Sequence, residues 1–402
     1  MLILIINAGS SSIKYQLLNM NSNALIAKGL IERIGIEGGK VIHKYYKNDN
    51  LEKVEINQNF LSHIEGMRVI VNLLTDSKIG VIKDVSEVDA IGHRVVQGES
   101  VSHPVLITKE IKEFIRKISP LAPLHNPANL LGIEVAEQLF KNVPQVAVFD
   151  TSFHQSMPAK AFRYAIPNEF YINHKIRVYG AHGTSHKYVR EQAANYLKNK
   201  NVKTISLHLG NGASITAINQ NGESIDTSMG FTPLNGLVMG TRSGDIDPSA
   251  LFYMVRECGV NFEELDDLLN KKSGMLGMTG KSDARDVEQL SYEGDKNAVL
   301  CLDLYSYRVK KYIGAYMAAL NGAEAIIFTA GIGENDCNLR YLICKDLDFL
   351  GIKLDKEKNE KFNSPDRVVE IQSEDSKIKI LIIPTNEELA IAQETLKIIA
   401  KH

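Results

Sequence analysis

Three glycine- and hydroxyl-rich turns of this chain contain residues suited to binding an anionic ligand. The first turn, NAGSSSIK, occupies residues 7–14 and follows the apolar run 2–6. The second, GNGAS, occupies residues 210–214 and follows the predicted strand 204–209. The third, TAGIGEN, occupies residues 329–335 and follows the apolar predicted strand 325–328. Glycine lets the backbone approach a ligand closely, and turn amides and hydroxyls donate hydrogen bonds to an anion. One such turn is also typical of an ordinary hairpin. Three of them after three predicted strands indicate phosphate binding.

The first two turns belong to similar successions of predicted elements. In each, a strand leads through the small-residue turn to a second strand, a polar turn and a third strand, ending near residues 31 and 227. The two copies are about half the chain apart. This repetition predicts a duplicated α/β domain whose two phosphate turns face each other across a cleft.

Two arginines and one aspartate are placed where catalysis would need them. Arg94 ends the predicted strand 90–96, and Arg242 lies in a loop between Gly240 and Gly244. A buried guanidinium requires a carboxylate partner or an anionic ligand. Asp150 follows the predicted strand 145–149, where an acid can be catalytic or can simply cap a turn.

Two segments resemble known ligand-binding motifs but lack residues that those motifs require. His182 and His186 have the spacing of zinc ligands on a helix, but Gly183 and Thr184 place His182 outside the helix and no catalytic glutamate lies between the histidines. We therefore expect His186 to be structural and His182 to act on a ligand. The segment GKS at 280–282 lacks the earlier glycine of a P-loop.

Several helix boundaries can be predicted from capping residues. Asn126 and Asp247 each precede a proline, which predicts a cap followed by the first helical residue. Thr385 and Glu388 have capping-box spacing, which leaves Glu387 either to bind a metal or to interact with the helix dipole. The tyrosines of the amphipathic helix 296–320 are expected in the core or at a subunit contact.

The amino-acid composition is that of a globular protein and argues against the nucleic-acid-binding and membrane-spanning classes. The chain has 402 residues, of which 44% are hydrophobic and 23% charged, as in globular proteins with two full domains. A net charge of −2 argues against nucleic-acid binding, and no apolar run reaches bilayer length. Four cysteines without zinc-ligand spacing are typical of reduced thiols, so a cytoplasmic location is expected.

Each half of the chain contains a predicted phosphate-binding turn and an arginine, and acidic residues are scattered along both halves. Together these features predict phosphoryl transfer from a nucleotide. The chain resembles the acetate kinase family, within the superfamily that includes sugar kinases, actin and heat-shock chaperone ATPases. The resemblance rests on the motifs NAGSSSIK (7–14), GHRVV (92–96), HGTSH (182–186), GTRSGDIDP (240–248) and PTNEE (384–388).

The resemblance implies a fold, a reaction and an assembly. The fold would be α/β, with duplicated actin-like (ribonuclease H-like) domains formed by residues 1–149 plus 386–402 and by residues 150–385. The C-terminal helix would return to the first domain, and the second would carry most of the nucleotide site. The reaction would be reversible in-line transfer from ATP to acetate, giving ADP and acetyl phosphate. A homodimer is implied.

Individual roles are also implied. Asn7 and Glu387 would lie near Mg²⁺, for which Mn²⁺ is an expected substitute. Arg94 and Arg242 would bind the acyl carboxylate and the phosphoryl group in transfer, and His182 would stabilise its charge. The expected nucleotide contacts are Asn7, Ser10, Ser12, Lys14, His208, Leu209, Gly210, Asn211, Gly212, Asp283, Ala284, Arg285, Gly331, Ile332, Gly333, Glu334 and Asn335.

Asp150 is the acidic residue that the family treats as catalytic. A carboxylate substrate is already ionised at pH 7, so a general base has little proton to remove. We therefore expect Asp150 to hold an arginine or a metal-bound water.

The chain departs from the family pattern at Ala181, where acetate kinases usually carry phenylalanine. The expected acyl-substrate contacts are Arg94, Val96, Leu124, His125, Ala181 and Pro233. A smaller side chain at position 181 favours, as an alternative, a kinase for propionate or another short-chain acid. An alternative of a different class is a non-catalytic actin-like ATPase, although the two arginines would then lack an anion.

Overall fold

The computed structural model describes residues 1–48 and 50–401, which form two compact units. Residues 1–152 and 386–402 make the first unit, and residues 153–385 make the second. Within the described residues, no helix combines the length and apolar character that crossing a membrane would require.

The first unit is built on an eight-stranded sheet with the order β5-β4-β3-β2-β1-β6-β8-β7. Its strands are β1 (Leu2–Ala8), β2 (Ser12–Asn19), β3 (Ala24–Glu32), β4 (Lys40–Lys47), β5 (Asn50–Asn57), β6 (Ala90–Val95), β7 (Val105–Leu106) and β8 (Gln145–Phe149). The β1–β6 and β6–β8 pairs are parallel, and the other pairs are antiparallel. The helices are α1 (His63–Thr75), α2 (Lys109–Ile118), α3 (Asn126–Leu139) and the C-terminal helix (Glu387–Ile399), with 3-10 turns at Val85–Glu87 and Ser119–Leu121.

The apolar run of β1 is continuous because both faces of this strand are covered. Leu4 and Ile6 belong to the core that includes residues of α1 and α3. Ile3 and Ile5 belong to a second core that includes Ile391 of the C-terminal helix. Alternate side chains of a strand point to opposite faces, so a strand buried on both faces must be apolar throughout.

The second unit has a six-stranded sheet with the order β11-β10-β9-β12-β14-β13. Its strands are β9 (Thr204–Leu209), β10 (Ala213–Ile218), β11 (Ser224–Thr227), β12 (Ala325–Thr329), β13 (Val369–Glu370) and β14 (Lys379–Ile382). The helices are α4 (Ala159–Phe162), α5 (Asn168–His174), α6 (Gly183–Tyr196), α7 (Pro248–Glu257), α8 (Phe262–Lys271), α9 (Gly274–Thr279), α10 (Ala284–Tyr292), α11 (Lys296–Ala319), α12 (Ala330–Asn335), α13 (Cys337–Cys344) and α14 (Lys356–Lys361), with 3-10 turns at Ser152–Ser156 and Asp348–Leu350.

The two sheets share one topology. The strand order β3-β2-β1-β6-β8 in the first unit corresponds to β11-β10-β9-β12-β14 in the second. In both, the first three strands are antiparallel and the next two continue in parallel. Each of the first two glycine turns joins the first and second strands of its copy. The prediction of a duplicated α/β fold is therefore confirmed.

The predicted start of the C-terminal helix is wrong by one residue. Asn386 is the N-cap, and its side chain accepts a hydrogen bond of 3.0 Å from the backbone N–H of Leu389. The hydroxyl of Thr385 instead hydrogen-bonds with that of Ser185 at 2.8 Å, so Thr385 and Glu388 form no capping box. Glu387 is the first residue of the helix.

Three other helix starts can be compared with the sequence. The α7 helix begins as predicted, with Asp247 as N-cap and a proline in the first turn. The N-cap of α3 is His125, whereas the side chain of Asn126 bonds to the backbone of Gln97 in both directions. His182 lies outside its helix as predicted, although Gly183 and Thr184 themselves belong to α6, which begins at Gly183.

Candidate active site

The second unit contains a pocket of about 670 Å³, a volume suited to a nucleotide-sized ligand. It is lined by the second and third glycine turns and by the start of α10. The lining residues are Gly210, Asn211, Gly240, Met275, Ser282, Asp283, Ala284, Arg285, Glu288, Gly331, Ile332, Asn335 and Asp336. The pocket brings together chain segments that are far apart in the sequence.

The glycine turn after β9 forms one wall of this pocket. The backbone N–H of Gly210 donates to the carbonyl of Gly212 at 3.1 Å, and that of Gly240 donates to the carbonyl of Asn211 at 3.1 Å. A Cβ on Gly240 would lie only 2.0 Å from Oδ1 of Asn211. The same Cβ would lie only 2.7 Å from the backbone oxygen of Ser282, so glycine is required at position 240 for these two loops to approach this closely.

Gly212 connects the pocket wall to two side chains that could act on a phosphoryl group. A Cβ at this position would lie 3.3 Å from Nε2 of His182 and 3.6 Å from Nη1 of Arg242. The imidazole and the guanidinium thus converge on the backbone of the glycine turn. Backbone amides, an imidazole and a guanidinium therefore lie together here, and all three are donor types suited to an anion.

Arg242 is partly buried and has an incomplete set of partners. In the described part of the chain, no carboxylate lies within ion-pair distance of its guanidinium, and Nη1 is 3.9 Å from the sulfur of Met239. Burial lowers the pKa of Arg242. A half-buried cation without a carboxylate is costly, so the position favours binding of an anionic ligand.

His182 is held in an unusual backbone conformation beside another imidazole. Its φ is 54°, in the left-handed region, directly before α6. Its ring stacks on that of His208 with a centroid distance of 4.2 Å and an interplanar angle of 17°. Nδ1 of His208 in turn hydrogen-bonds with the hydroxyl of Ser185 at 2.8 Å. These contacts orient the His182 ring.

His186 is fully buried and bonds through both ring nitrogens. Its partners are the hydroxyls of Ser206 at 2.9 Å and Ser214 at 3.1 Å. Burial, together with nearby histidines, holds the pKa of His186 well below its ordinary value, so the ring is neutral at physiological pH. This environment is that of a structural histidine.

The first unit contains an ion pair between two predicted site residues. Nε of Arg94 donates to both carboxylate oxygens of Asp150 at 3.1 and 3.0 Å, and Nη2 donates to Oδ2 at 2.6 Å. Asp150 is only 1% exposed. Burial acts to lower the pKa of Arg94, but the carboxylates of Asp150 and Glu387 outweigh it and raise this pKa. The guanidinium of Arg94 therefore keeps its charge.

The first glycine turn is fixed by side chains from two helices. Nε2 of His63 donates to the carbonyl of Gly9 at 2.7 Å, and Nδ2 of Asn129 donates to the carbonyl of Ala8 at 2.8 Å. Asn7 of β1 lies opposite Lys14 of β2 in the sheet register. The other two predicted contacts in this turn, Ser10 and Ser12, are exposed and half-buried.

Glu387 combines burial with an unsatisfied oxygen. Its Oε1 is buried and has no hydrogen-bond partner among the residues that the structure describes. Burial raises the pKa of Asp150, and the nearby charge of Glu387 adds to this rise. The same charge also helps to raise the pKa of Arg94. A buried carboxylate oxygen that bonds to no protein donor is suited to bind a cation.

The predicted acyl-substrate residues are divided between the two units. Val96, Leu124 and His125 belong to the first, and the backbone N–H of Val96 donates to Oδ1 of Asn129 at 3.1 Å. Ala181 and Pro233 belong to the second. Ala181 is 4% exposed and is part of the main core of that unit.

Most of the predicted nucleotide contacts of the second unit line its pocket, but two in the third turn have structural partners. Gly333 is buried, and its carbonyl accepts from Nη1 of Arg340 at 2.9 Å. The carboxylate of Glu334 accepts from the backbone N–H groups of Ala330 at 2.7 Å and Thr385 at 3.0 Å. Leu209 is a fully buried residue of β9.

Five lining residues were not predicted. Ser282 ends the GKS segment that was dismissed as a P-loop, and this segment indeed follows α9 rather than a strand. Asp336 directly follows the third glycine turn, a position that could have suggested it. Burial, with a smaller contribution from Glu288, raises the pKa of Asp336 to about 6. The unpredicted residues are Gly240, Met275, Ser282, Glu288 and Asp336.

The whole chain can be compared with known proteins. Residues 2–393 match the sequence model of the Acetokinase family. The chain belongs to this family. The acetate kinase of Thermotoga petrophila is 51% identical over 406 residues, covering 100% of this chain and 99% of that protein.

Two solved structures are also similar to this chain. The acetate kinase of Porphyromonas gingivalis superposes with a TM-score of 0.92 at 41% identity, covering 99% of each chain. A propionate kinase from Francisella tularensis superposes with a TM-score of 0.90 at 44% identity, covering 98% of this chain and 99% of that one. The similarity extends over both units.

Proposed function

We propose that this chain catalyses the Mg²⁺-dependent, reversible transfer of the terminal phosphoryl group of ATP to acetate, giving ADP and acetyl phosphate. The observation that carries the proposal is the continuity of the 670 Å³ pocket with the glycine turn on which His182 and Arg242 converge. A nucleoside would occupy the pocket, and its phosphates would follow residues 210–212. Membership in the Acetokinase family and the acetate kinase relatives at 51% identity support the choice of acetate.

The chemistry requires positioning and charge neutralisation. The transferring phosphoryl group develops charge on its equatorial oxygens, which backbone amides and cationic side chains can stabilise. Arg242 would supply a planar fork of donors and His182 a further donor. Neither residue needs to form a covalent bond to phosphorus.

Arg94 would bind the acyl carboxylate, and Asp150 would hold Arg94. Two of the hydrogen bonds in this pair come from Nε and one from Nη2, so Nη1 makes none of them. That group remains available to a substrate oxygen. Acetate is ionised at neutral pH, so this role for Asp150 requires no proton transfer.

Glu387 and Asn7 are suitable ligands for Mg²⁺. The unsatisfied Oε1 of Glu387 and the amide oxygen of Asn7 are hard donors of the kind that this cation prefers. When bound, Mg²⁺ would neutralise phosphate charge and orient the transferring group. Arg94 and Asp150 would remain paired beside it.

We also propose a cytoplasmic homodimer. The helix α11 exposes apolar side chains on its solvent side, among them Val299, Leu300 and Tyr307. Such residues are suited to a contact between subunits. The four cysteines are unpaired, as is typical of a reducing compartment.

Propionate is the second candidate substrate. Ala181 replaces the phenylalanine expected at this position, and the 44%-identical structure from Francisella tularensis is a propionate kinase. One extra buried methylene contributes only about 0.8 kcal/mol, so a modest enlargement of the acyl site would permit both acids.

The proposed function can be tested with the purified chain. Hydroxylamine trapping should detect acyl phosphate when ATP, Mg²⁺ and acetate are all present, and ADP should form in equal amount. Omission of acetate is the control. ATP hydrolysis that proceeds equally well without acetate, with no acyl phosphate, would instead indicate an actin-like ATPase.

A further inference from the structure

Residues 236–245 form a closed loop that carries Arg242, and we call it the arginine loop. The backbone N–H of Asp245 donates to the carbonyl of Gly236 at 2.9 Å, and the backbone N–H of Gly236 donates to Oδ1 of Asp245 at 2.9 Å. Gly236 and Gly244 have φ values of 101° and 67°. These glycines permit the tight closure, but they also leave the loop flexible unless other contacts hold it.

The tip of the arginine loop is fixed by backbone hydrogen bonds. Its partners lie in the segment 269–276, which includes the end of α8 and the start of α9. Four bonds of 2.9–3.1 Å join Ser243 to Leu269, Thr241 to Ser273, Met239 to Met275 and Gly240 to Leu276. These contacts hold the tip but leave the base of the loop to be fixed elsewhere.

The base of the loop is attached to α11 by one side-chain bond. The hydroxyl of Tyr312 donates to Oδ2 of Asp245 at 2.7 Å. Oδ1 of Asp245 accepts from Nδ2 of the neighbouring Asn235 at 2.7 Å as well as from Gly236. Among the described residues, the carboxylate of Asp245 thus accepts from two neighbours in the sequence and from Tyr312 of a separate helix. In the same part of the chain, no cationic side chain forms an ion pair with Asp245.

The hydroxyl of Tyr312 donates its hydrogen bond to Asp245 throughout the physiological pH range. Burial, followed by the bond to Asp245, raises the pKa of Tyr312 far above the physiological range. The phenol therefore stays protonated, and the bond to the carboxylate is charge-assisted. Neutral donors thus stabilise the half-buried charge of Asp245 without a competing cation.

We propose that Tyr312 is a positioning residue for phosphoryl transfer, which acts through Asp245 on the orientation of Arg242. The inference rests on the proposed role of Arg242. A guanidinium that stabilises a transition state must be held within a fraction of an ångström, and misplacement by about 1 Å can reduce the rate by roughly 10²-fold. Fixing both tip and base of the arginine loop provides this constraint.

Tyr312→Phe tests the proposal with the smallest change, because it removes only the hydroxyl. We expect kcat to fall by roughly tenfold while KM for ATP changes less than about twofold, since Tyr312 does not line the nucleotide pocket. Tyr305→Phe is the matched control. Tyr305 is on the same helix, and its buried hydroxyl has no hydrogen-bond partner among the described residues. This variant should retain wild-type kcat.

A double variant separates positioning from a general structural effect. If Tyr312 acts through Arg242, adding Tyr312→Phe to Arg242→Ala should cause no further loss of kcat. Wild-type kcat in Tyr312→Phe, or the same proportional loss in both backgrounds, would overturn the inference. Normal turnover by Arg242→Ala alone would instead overturn the proposed function, so the two failures can be distinguished.

Discussion

Arg94 and Asp150 form a hydrogen-bonded ion pair at the ends of neighbouring parallel strands. Three bonds of 2.6–3.1 Å join the guanidinium to the carboxylate. Because β6 and β8 are paired in register up to Val95 and Phe149, the sheet itself determines this juxtaposition. The carboxylate is committed to holding the guanidinium, which agrees with the role proposed for Asp150.

Asp150→Asn should reduce kcat by roughly 10²-fold, because a neutral amide would leave the guanidinium without its charge partner and free to turn. The wild-type kcat should stay constant from pH 6 to 8, since no proton is removed from acetate. Steady-state kinetics of both proteins across this range would check the two expectations. A wild-type kcat that falls as the pH is lowered, in a limb that disappears in Asp150→Asn, would support a general base instead.

Asp336→Asn should stabilise the protein at neutral pH. The folded-state pKa of about 6 lies above the ordinary value of 3.8, so the folded protein binds the proton more tightly and loses stability as pH rises from about 4 to 6. Asparagine removes this penalty and is also a good N-cap. We expect a gain of roughly 1–3 kcal/mol at pH 7 that shrinks towards pH 5.

Urea denaturation of the wild type and of Asp336→Asn at both pH values measures this gain. An equal difference in unfolding free energy at pH 5 and pH 7 would show that titration of Asp336 is not its source. Asp283→Asn is a useful control, because Arg285 lowers the pKa of Asp283 and the sign of its contribution is reversed.

Glu387→Ala should increase the Mg²⁺ concentration required for half-maximal rate, because it removes a buried oxygen for which the described residues provide no donor. Glu388→Ala is the matched control and should leave this concentration unchanged. Rate measurements over a range of Mg²⁺ concentrations test both. If Glu388→Ala alone altered the requirement, the adjacent acids would have the opposite roles.

Ala181→Phe should raise KM for propionate more than KM for acetate. A phenyl ring in place of the methyl group would shorten the acyl site, although overpacking at this buried position can cost about 1–3 kcal/mol. Kinetics with both acids, accompanied by a thermal melt, would separate specificity from instability. A wild type that already rejects propionate as strongly as the variant would show that another side chain limits the acyl length.

The local signals in the sequence predicted the elements that carry the site. Continuous apolar runs identified the buried strands β1 and β12, and glycine clusters marked the turns that follow β1, β9 and β12. The repeated order of strands and turns then indicated the duplication. These features depend on neighbouring residues only, so one sequence is sufficient to predict them.

The missed features depend on contacts between distant residues. Tyr312 and Asp245 are separated by 67 positions, and nothing near either indicates their bond. The capping error at the C-terminal helix has the same origin, because Thr385 bonds to Ser185, 200 positions away, and Asn386 takes the cap. Glu288 and Asp336 line the 670 Å³ pocket only because separate helices converge there.

The strongest test of the proposed phosphoryl-transfer site is the turnover of Arg242→Ala. The fold should be intact by circular dichroism and KM for ATP little changed, while kcat for acetyl phosphate synthesis should fall by roughly 10²-fold or more. Arg242→Lys should recover little of the loss, because an ammonium cannot reproduce the planar fork of donors. Near-normal kcat in Arg242→Ala would contradict the proposed site.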